Sequence, residues 1–282
     1  MRLLVLLAGA VLLLPGQTPE TWTLPEGVDW RRDIIYSRPS ANRELKADLF
    51  LPDSGSGMRP AIVYIHGGGW RAGNKQAFRR QAAHMATRGF VGLCIEYRLS
   101  REAKWPAAYE DAQAAVKYLR DNARALRVDP ERIGAAGGSA GGHLAALLGT
   151  NPEFRLAAVA AFNPALDLVD LGKDAPASSN SIVDFLGSRY VDNPELWRAA
   201  SPSRQVSARS APFLFLHGTR DETVPYAQSV QMREALSKLG VVAELFSADG
   251  AGHGFFNRDP WFAPTLERMQ TFMEAHLLGR RH

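Results

Sequence analysis

With a single cysteine, Cys94, in 282 residues, the chain can form no internal disulfide. Cys94 falls in an apolar run and reads as a small core residue rather than a reactive thiol. The histidines show no H-E-x-x-H spacing and there are no paired cysteines, so the sequence indicates no metal site and calls for no cofactor. Lysine and arginine (33) nearly balance aspartate and glutamate (29), and the surplus of +4 comes partly from Arg2 and Arg280-Arg281. Without a basic stripe interleaved with aromatics, nucleic acid is not an expected partner. The chain also shows no internal repeat and no sustained low-complexity segment. An apolar run at residues 3–14 follows Met1-Arg2 and is too short to span a bilayer, but it suits the core of a signal peptide. Residues 1–16 are therefore expected to direct export to the periplasm or the exterior, with residues 17–32 as a linker and residues 33–282 as the catalytic domain. Pro15-Gly16-Gln17 is not an A-x-A site, which leaves the cleavage point and an uncleaved anchor open. The absence of a nearby cysteine argues against lipid attachment.

What is present is an alternation. Apolar strand-like runs at residues 62–65, 91–95, 133–136, 157–161, 213–216 and 242–246 are separated by helical patterns at 77–87, 106–126, 141–148, 226–239 and 264–278. Gly89 and Gly240 stand where C-cap glycines would, and Pro106 where a first-turn proline would. Strands alternating with helices predict one α/β domain built on a mainly parallel central sheet with helices on both faces. Residues 34–36 and 45–51 read as an antiparallel entry to it. The rhythm breaks between the strand ending near Phe162 and the one starting at Phe213. A stretch of that length inside a compact domain is usually functional, so residues 166–203 are expected to form a small lid or substrate-binding insertion. It holds a small polar patch, Ala177-Ser178-Ser179-Asn180-Ser181, and an amphipathic piece at 182–190.

The chemistry is written in four short stretches. Gly137-Gly138-Ser139-Ala140-Gly141 is a G-x-S-x-G pentapeptide between a strand-like and a helical run, the context of a nucleophile elbow. A serine hydroxyl is a weak nucleophile unless a sharp turn presents it to a base. Upstream, His66-Gly67-Gly68-Gly69-Trp70 directly follows an apolar strand, and glycines there let bare backbone N–H groups approach a developing oxyanion. The expected oxyanion donors are Gly67, Gly68 and Ala140, with Gly69 able to trade places. A triad on such a frame runs serine, acid, histidine. Asp221 follows the strand at 213–216, and His253 sits in Gly252-His253-Gly254 after the strand at 242–246. Asp221 would fix the tautomer of His253, with Glu222 the competing acid. His66 and His217 are expected to brace loops, His143 to be structural, and His84, His276 and His282 to lie at the surface. Trp70 either lines the substrate pocket or packs beneath the glycine loop. Asp111 and Glu110 read as a solvated face or a brace.

Together the stretches 67–70, 137–143, 217–225 and 252–256, with Tyr97-Arg98-Leu99-Ser100 and Trp105-Pro106-Ala107-Ala108, resemble the hormone-sensitive-lipase-like carboxylesterases of the α/β-hydrolase fold. The nearer likeness is to bacterial acetylxylan and feruloyl esterases, over residues 33–278. The resemblance implies an esterase acting on a small-molecule or oligosaccharide ester, with short acyl groups such as acetyl or feruloyl, but one fold serves many acyl groups. A serine exopeptidase or amidase is the alternative. Peptidases of this fold often carry a bulky aromatic after the nucleophile and a propeller domain upstream, and Ala140 and the short N-terminal part disfavour them. A hydrolase fold retained only for binding would normally have lost its serine or histidine, and both are here. Oligomeric state is not legible.

Overall fold

The computed structural model describes residues 22–174 and 181–279. The expected signal segment, His282 and the part of the polar patch at residues 177–180 lie outside the described residues.

An eight-stranded sheet carries the fold: β1 (Val28–Ser40), β2 (Arg43–Pro52), β3 (Arg59–Ile65), β4 (Val91–Ile95), β5 (Val128–Gly138), β6 (Ala158–Phe162), β7 (Phe213–Gly218) and β8 (Ala243–Ala248), in the order β1-β2-β4-β3-β5-β6-β7-β8. From β4 to β8 every neighbouring pair is parallel, while β1 and β2 are antiparallel. The central strands are buried on both faces, which is why they read as unbroken apolar runs rather than as alternation.

Two apolar layers cover that sheet. One holds Ala82, Met85, Met269, Phe272 and Met273 from α1 (Arg79–Thr87) and α9 (Phe262–Leu277). The other holds residues of α2 (Ala107–Asp121), α4 (Ala140–Thr150) and α8 (Ala227–Lys238), together with Phe185 and Trp197. α4 is buried along its whole length, so its pattern is apolar all round rather than one-sided.

Several boundaries move. β1 starts at Val28, so residues 28–32 belong to the sheet and not to a linker. Among the described residues that strand is an edge, paired only with β2 and interrupted by register shifts between Arg31 and Ile34 and between Ile35 and Ser37, so exposed Arg31, Arg32 and Asp33 hide its period. Pro106 is the N-cap of α2 rather than its first residue, and the helix breaks at Asn122 before α3 (Ala123–Leu126). The first helical pattern opens as a short 3-10 turn at Lys75–Phe78.

Among its described residues the segment between β6 and β7 holds α5 (Leu168–Gly172), α6 (Ser181–Leu186) and α7 (Pro194–Ala199), then a 3-10 turn at Pro202–Arg204. Asp167 and Asn193 cap α5 and α7 with side-chain oxygens on the N–H groups of Asp170 and Leu196. Ile182, Phe185, Leu186 and the fully buried Trp197 join the core. This segment is thus packed down, with α6 placed above the C-terminal ends of the central strands.

Candidate active site

In a parallel sheet the C-terminal strand ends all face one way, and the loops leaving them build the site. The glycine loop leaves β3, Ser139 follows β5, Asn163 follows β6, Asp221 follows β7 and His253 follows β8. β5 through β8 are consecutive neighbours in the sheet, so their loops converge although up to 114 positions separate them in sequence.

Ser139 stands at the turn between β5 and α4 with φ 54° and ψ −118°, a conformation rare for a side chain other than glycine. Its N–H is held by the Phe162 carbonyl at 2.9 Å. The turn demands Gly141, where a Cβ would lie 2.1 Å from the Ile65 carbonyl oxygen at the end of β3. His253 Nε2 is 3.0 Å from Ser139 Oγ, and its Nδ1 is 2.7 Å from Asp221 Oδ2. Asp221 Oδ1 accepts from the backbone N–H groups of Thr223 and Val224, both at 2.9 Å. Since the carboxylate binds the Nδ1–H edge, Nε2 is left free to accept the serine proton.

Asp221 has a second imidazole. His217 Nε2 lies 3.0 Å from the Val224 carbonyl, which can only accept, so Nε2 bears the hydrogen and shares it with Asp221 Oδ2 at 3.2 Å. His217 Nδ1 then accepts from Ser229 Oγ at 2.8 Å. Burial opposes ionisation of Asp221, but hydrogen bonds from His217, His253 and the Val224 N–H, with the His253 charge, outweigh it. The carboxyl is held well below the usual carboxylate range. His217 therefore does more than the loop bracing expected of it. Glu222 is exposed, with its side chain outside this network.

The structure places Gly67, Gly68 and Gly69 beside Ser139 along one cavity wall, while Ala140 directly follows Ser139 as the buried first residue of α4. Trp70 does both things proposed for it. It lines the cavity, and it is pinned from behind by a stack on Phe185 (4.6 Å, 12°) and by donation from Nε1 to His143 Nδ1 at 3.3 Å. His143 is structural, as expected: fully buried, its Nε2–H donating to the Ala200 carbonyl at 2.8 Å. Burial lowers its pKa to about 4, against the pull of that carbonyl, so it is neutral at pH 7. His66 donates from Nδ1 to the Gly67 carbonyl and stacks on Tyr97. Asp111 is a buried brace for Arg98, whereas Glu110 is exposed. His84 and His276 are half-buried rather than at the surface, the first paired with Gln270 and the second against Phe272.

The cavity of about 560 Å³ is completed by Phe78 and Phe256 on one side and Leu171, Ser181, Ile182 and Val224 on the other. No Asp, Glu, Lys or Arg lines it among the described residues. Sequence reasoning missed Asn163, Phe78 and Phe256. Phe256 lies in the GHGFF stretch and could have been flagged, whereas Asn163 carries no motif.

An uncharged cleft at the strand ends, with a serine hydrogen-bonded to an imidazole and that imidazole to a carboxylate, is set on an α/β-hydrolase fold. Over residues 47–236 the chain matches the BD-FAE family model, and it belongs to that family. Esterase LipQ of Mycobacterium tuberculosis is 36% identical over 244 residues, 79% of this chain and 56% of that one, so the chain spans less than two thirds of that relative. A thermophilic esterase of the planctomycete Thermogutta terrifontis, solved with propionate bound, superimposes with a TM-score of 0.77 at 32% identity, covering 92% of this chain and 98% of that one. A truncated carbohydrate esterase from gut microbiota superimposes with a TM-score of 0.78 over 89% of this chain and 96% of that one, and at 24% identity that likeness is one of fold.

Proposed function

We propose that the protein is a serine esterase that hydrolyses short-chain carboxylic esters through an acyl-enzyme. The observation that carries this reading is the chain of short contacts from Ser139 through His253 to Asp221 inside an uncharged cavity. Ser139 Oγ attacks the ester carbonyl as His253 Nε2 takes its proton, and Asp221 stabilises the imidazolium. The oxyanion is received by backbone N–H groups of Gly67, Gly68 and Ala140, with Gly69 adjoining. His253 then gives the proton to the departing alcohol oxygen. Water, deprotonated by the same imidazole, releases the acid from Ser139.

Short acyl groups follow from the walls. Trp70, Ile182 and the Phe78–Phe256 stack (5.5 Å, 18°) wall the cavity, and the insertion adds only the short α6 over it to shelter an acyl chain. Each further buried methylene is worth only about 0.8 kcal/mol, which an occluded chain cannot recover. The bound propionate of the Thermogutta relative supports the same size. Acetyl or feruloyl groups on plant polysaccharide are the natural substrates we assign, the feruloyl group being a planar aromatic rather than a flexible chain, and Trp70 a wall for the bound ester. Residues 166–203 act as its lid, and residues 1–16 as an export signal, testable by fractionating cells that express the whole chain.

Ser139→Ala is expected to remove nearly all ester turnover, at least a thousand-fold in kcat, with the fold retained. On the unaltered protein kcat/KM should be highest from acetyl to butyryl and should fall by octanoyl. Full activity in Ser139→Ala, or best turnover on aminoacyl amides, would sink the reading, the latter in favour of a peptidase or amidase.

A further inference from the structure

Asn163 is the residue of this site that no motif accounts for. It follows β6, which lies between β5 and β7, so topology forces it between Ser139 and Asp221. It is fully buried, its N–H is fixed by the Leu216 carbonyl at 2.8 Å, and its φ is 35°. Among side-chain-bearing residues that left-handed region is tolerated best by Asn and Asp. Its Nδ2 lies 3.3 Å from His253 Nδ1 and 3.2 Å from Nε2. In the ring plane a point so nearly equidistant from both nitrogens would overlap Cε1, so the amide lies against the face of the imidazole. The in-plane positions are already taken, by Asp221 at Nδ1 and Ser139 at Nε2. Asn163 Oδ1 is buried and has no hydrogen-bond partner among the described residues.

A carboxamide has a donor end and an acceptor end of nearly equal size, exchanged by half a turn about Cβ–Cγ. The observed orientation suits a neutral imidazole, whose π face attracts an N–H. An imidazolium reverses the preference, because its positive charge attracts the amide oxygen, most strongly where water is excluded. We propose that Asn163 is a positioning residue that responds to the charge of His253. Its N–H₂ steadies the neutral base, and its unpartnered Oδ1 turns to the ring when His253 has taken the serine proton. The proton itself stays on Nε2 until the alcohol leaves, so Asn163 exchanges nothing. This rests on the reading of His253 as the base for Ser139. The other titratable groups facing His253 are Asp221 and, behind it, His217, and the cavity lining adds no charge among the described residues.

Two substitutions compatible with the backbone test it: Asn163→Asp, which offers only acceptor oxygens, and Asn163→Gly, which deletes the amide. The His253 pKa is measured in the intact protein by NMR titration of its Cε1–H, and kcat and KM are followed against pH on a short ester. Asn163→Asp should raise the pKa by about one unit, carrying the acid limb of kcat/KM to higher pH. Asn163→Gly should lower it by roughly half a unit and reduce kcat about ten-fold with KM within two-fold. Shifts in opposite directions are not produced by loss of packing alone. Should Asn163→Gly fail to fold, Asn163→Ala, which also deletes the amide, is titrated in its place, with the same lowering expected. No shift in Asn163→Asp, or shifts of the same sign in both variants, overturns the proposal. The titration needs no turnover, so its failure is distinct from a failure of the esterase reading.

Discussion

The loop at residues 66–73 and the loop at residues 249–254 reach Ser139 from different strands, and both are rich in glycine, yet the residue serves different ends in them. In the first, a Cβ on Gly68 would sit 2.2 Å from the Ala72 carbonyl oxygen, with φ at +115°. The backbone has folded onto itself there, with Arg71 and Ala72 N–H groups both bonded to the Gly68 carbonyl. In the second, an added Cβ on Gly252 meets nothing nearer than the Arg220 carbonyl oxygen at 3.8 Å. The glycine loop places its groups by close backbone contact, whereas the histidine loop depends on one side chain, His253, held by its partner Asp221. A count of glycines cannot tell these apart, because the difference lies in what surrounds each one.

That contrast yields predictions of graded size. Editing a side chain should hurt most on the histidine side. Asp221→Asn would turn an N–H₂ toward both His253 and His217, driving His253 to the tautomer that carries its hydrogen on Nε2 and cannot accept from Ser139. We expect kcat to fall by about 10³–10⁴, with Glu222→Gln within about two-fold. The reverse ranking in steady-state kinetics would move the acid to Glu222 and break the comparison.

Adding a methyl group should hurt most on the glycine side. Gly68→Ala must displace the Ala72 carbonyl and with it the N–H groups facing the cavity, so kcat should drop about 10²–10³. Activity near that of the unaltered protein would mean that the loop does not supply the oxyanion donors. The smallest effect belongs to Gly252→Ala, beside His253 yet open to solvent. It should leave kcat within about two-fold and shift stability by less than about 0.5 kcal/mol in denaturant melts. A loss matching that of Gly68→Ala would show the two loops to be alike after all.

Much of this molecule is legible from residue order. The parallel sheet follows from apolar runs alternating with helical periods, Ser139 and His253 stand out by their glycine contexts, and Asp221 by its position after a strand. Edge strand β1 was partly missed because bulges and exposed charges mask its period. The break at Asn122 was missed because α3 adds only one turn after it.

By itself, then, the sequence determined which groups can do chemistry and in what order along the chain they come. Strand propensity, helix period and glycine are local properties, readable within a few residues of each site. Only the tertiary structure decided which strands are neighbours. Placing β6 between β5 and β7 puts Asn163 against His253, and the same packing of strands brings His253 to Asp221 and Phe78 to Phe256 as a wall. The physical reason is that these contacts cross 32 to 178 positions of chain, and they arise from how packed layers align rather than from any preference of the residues themselves.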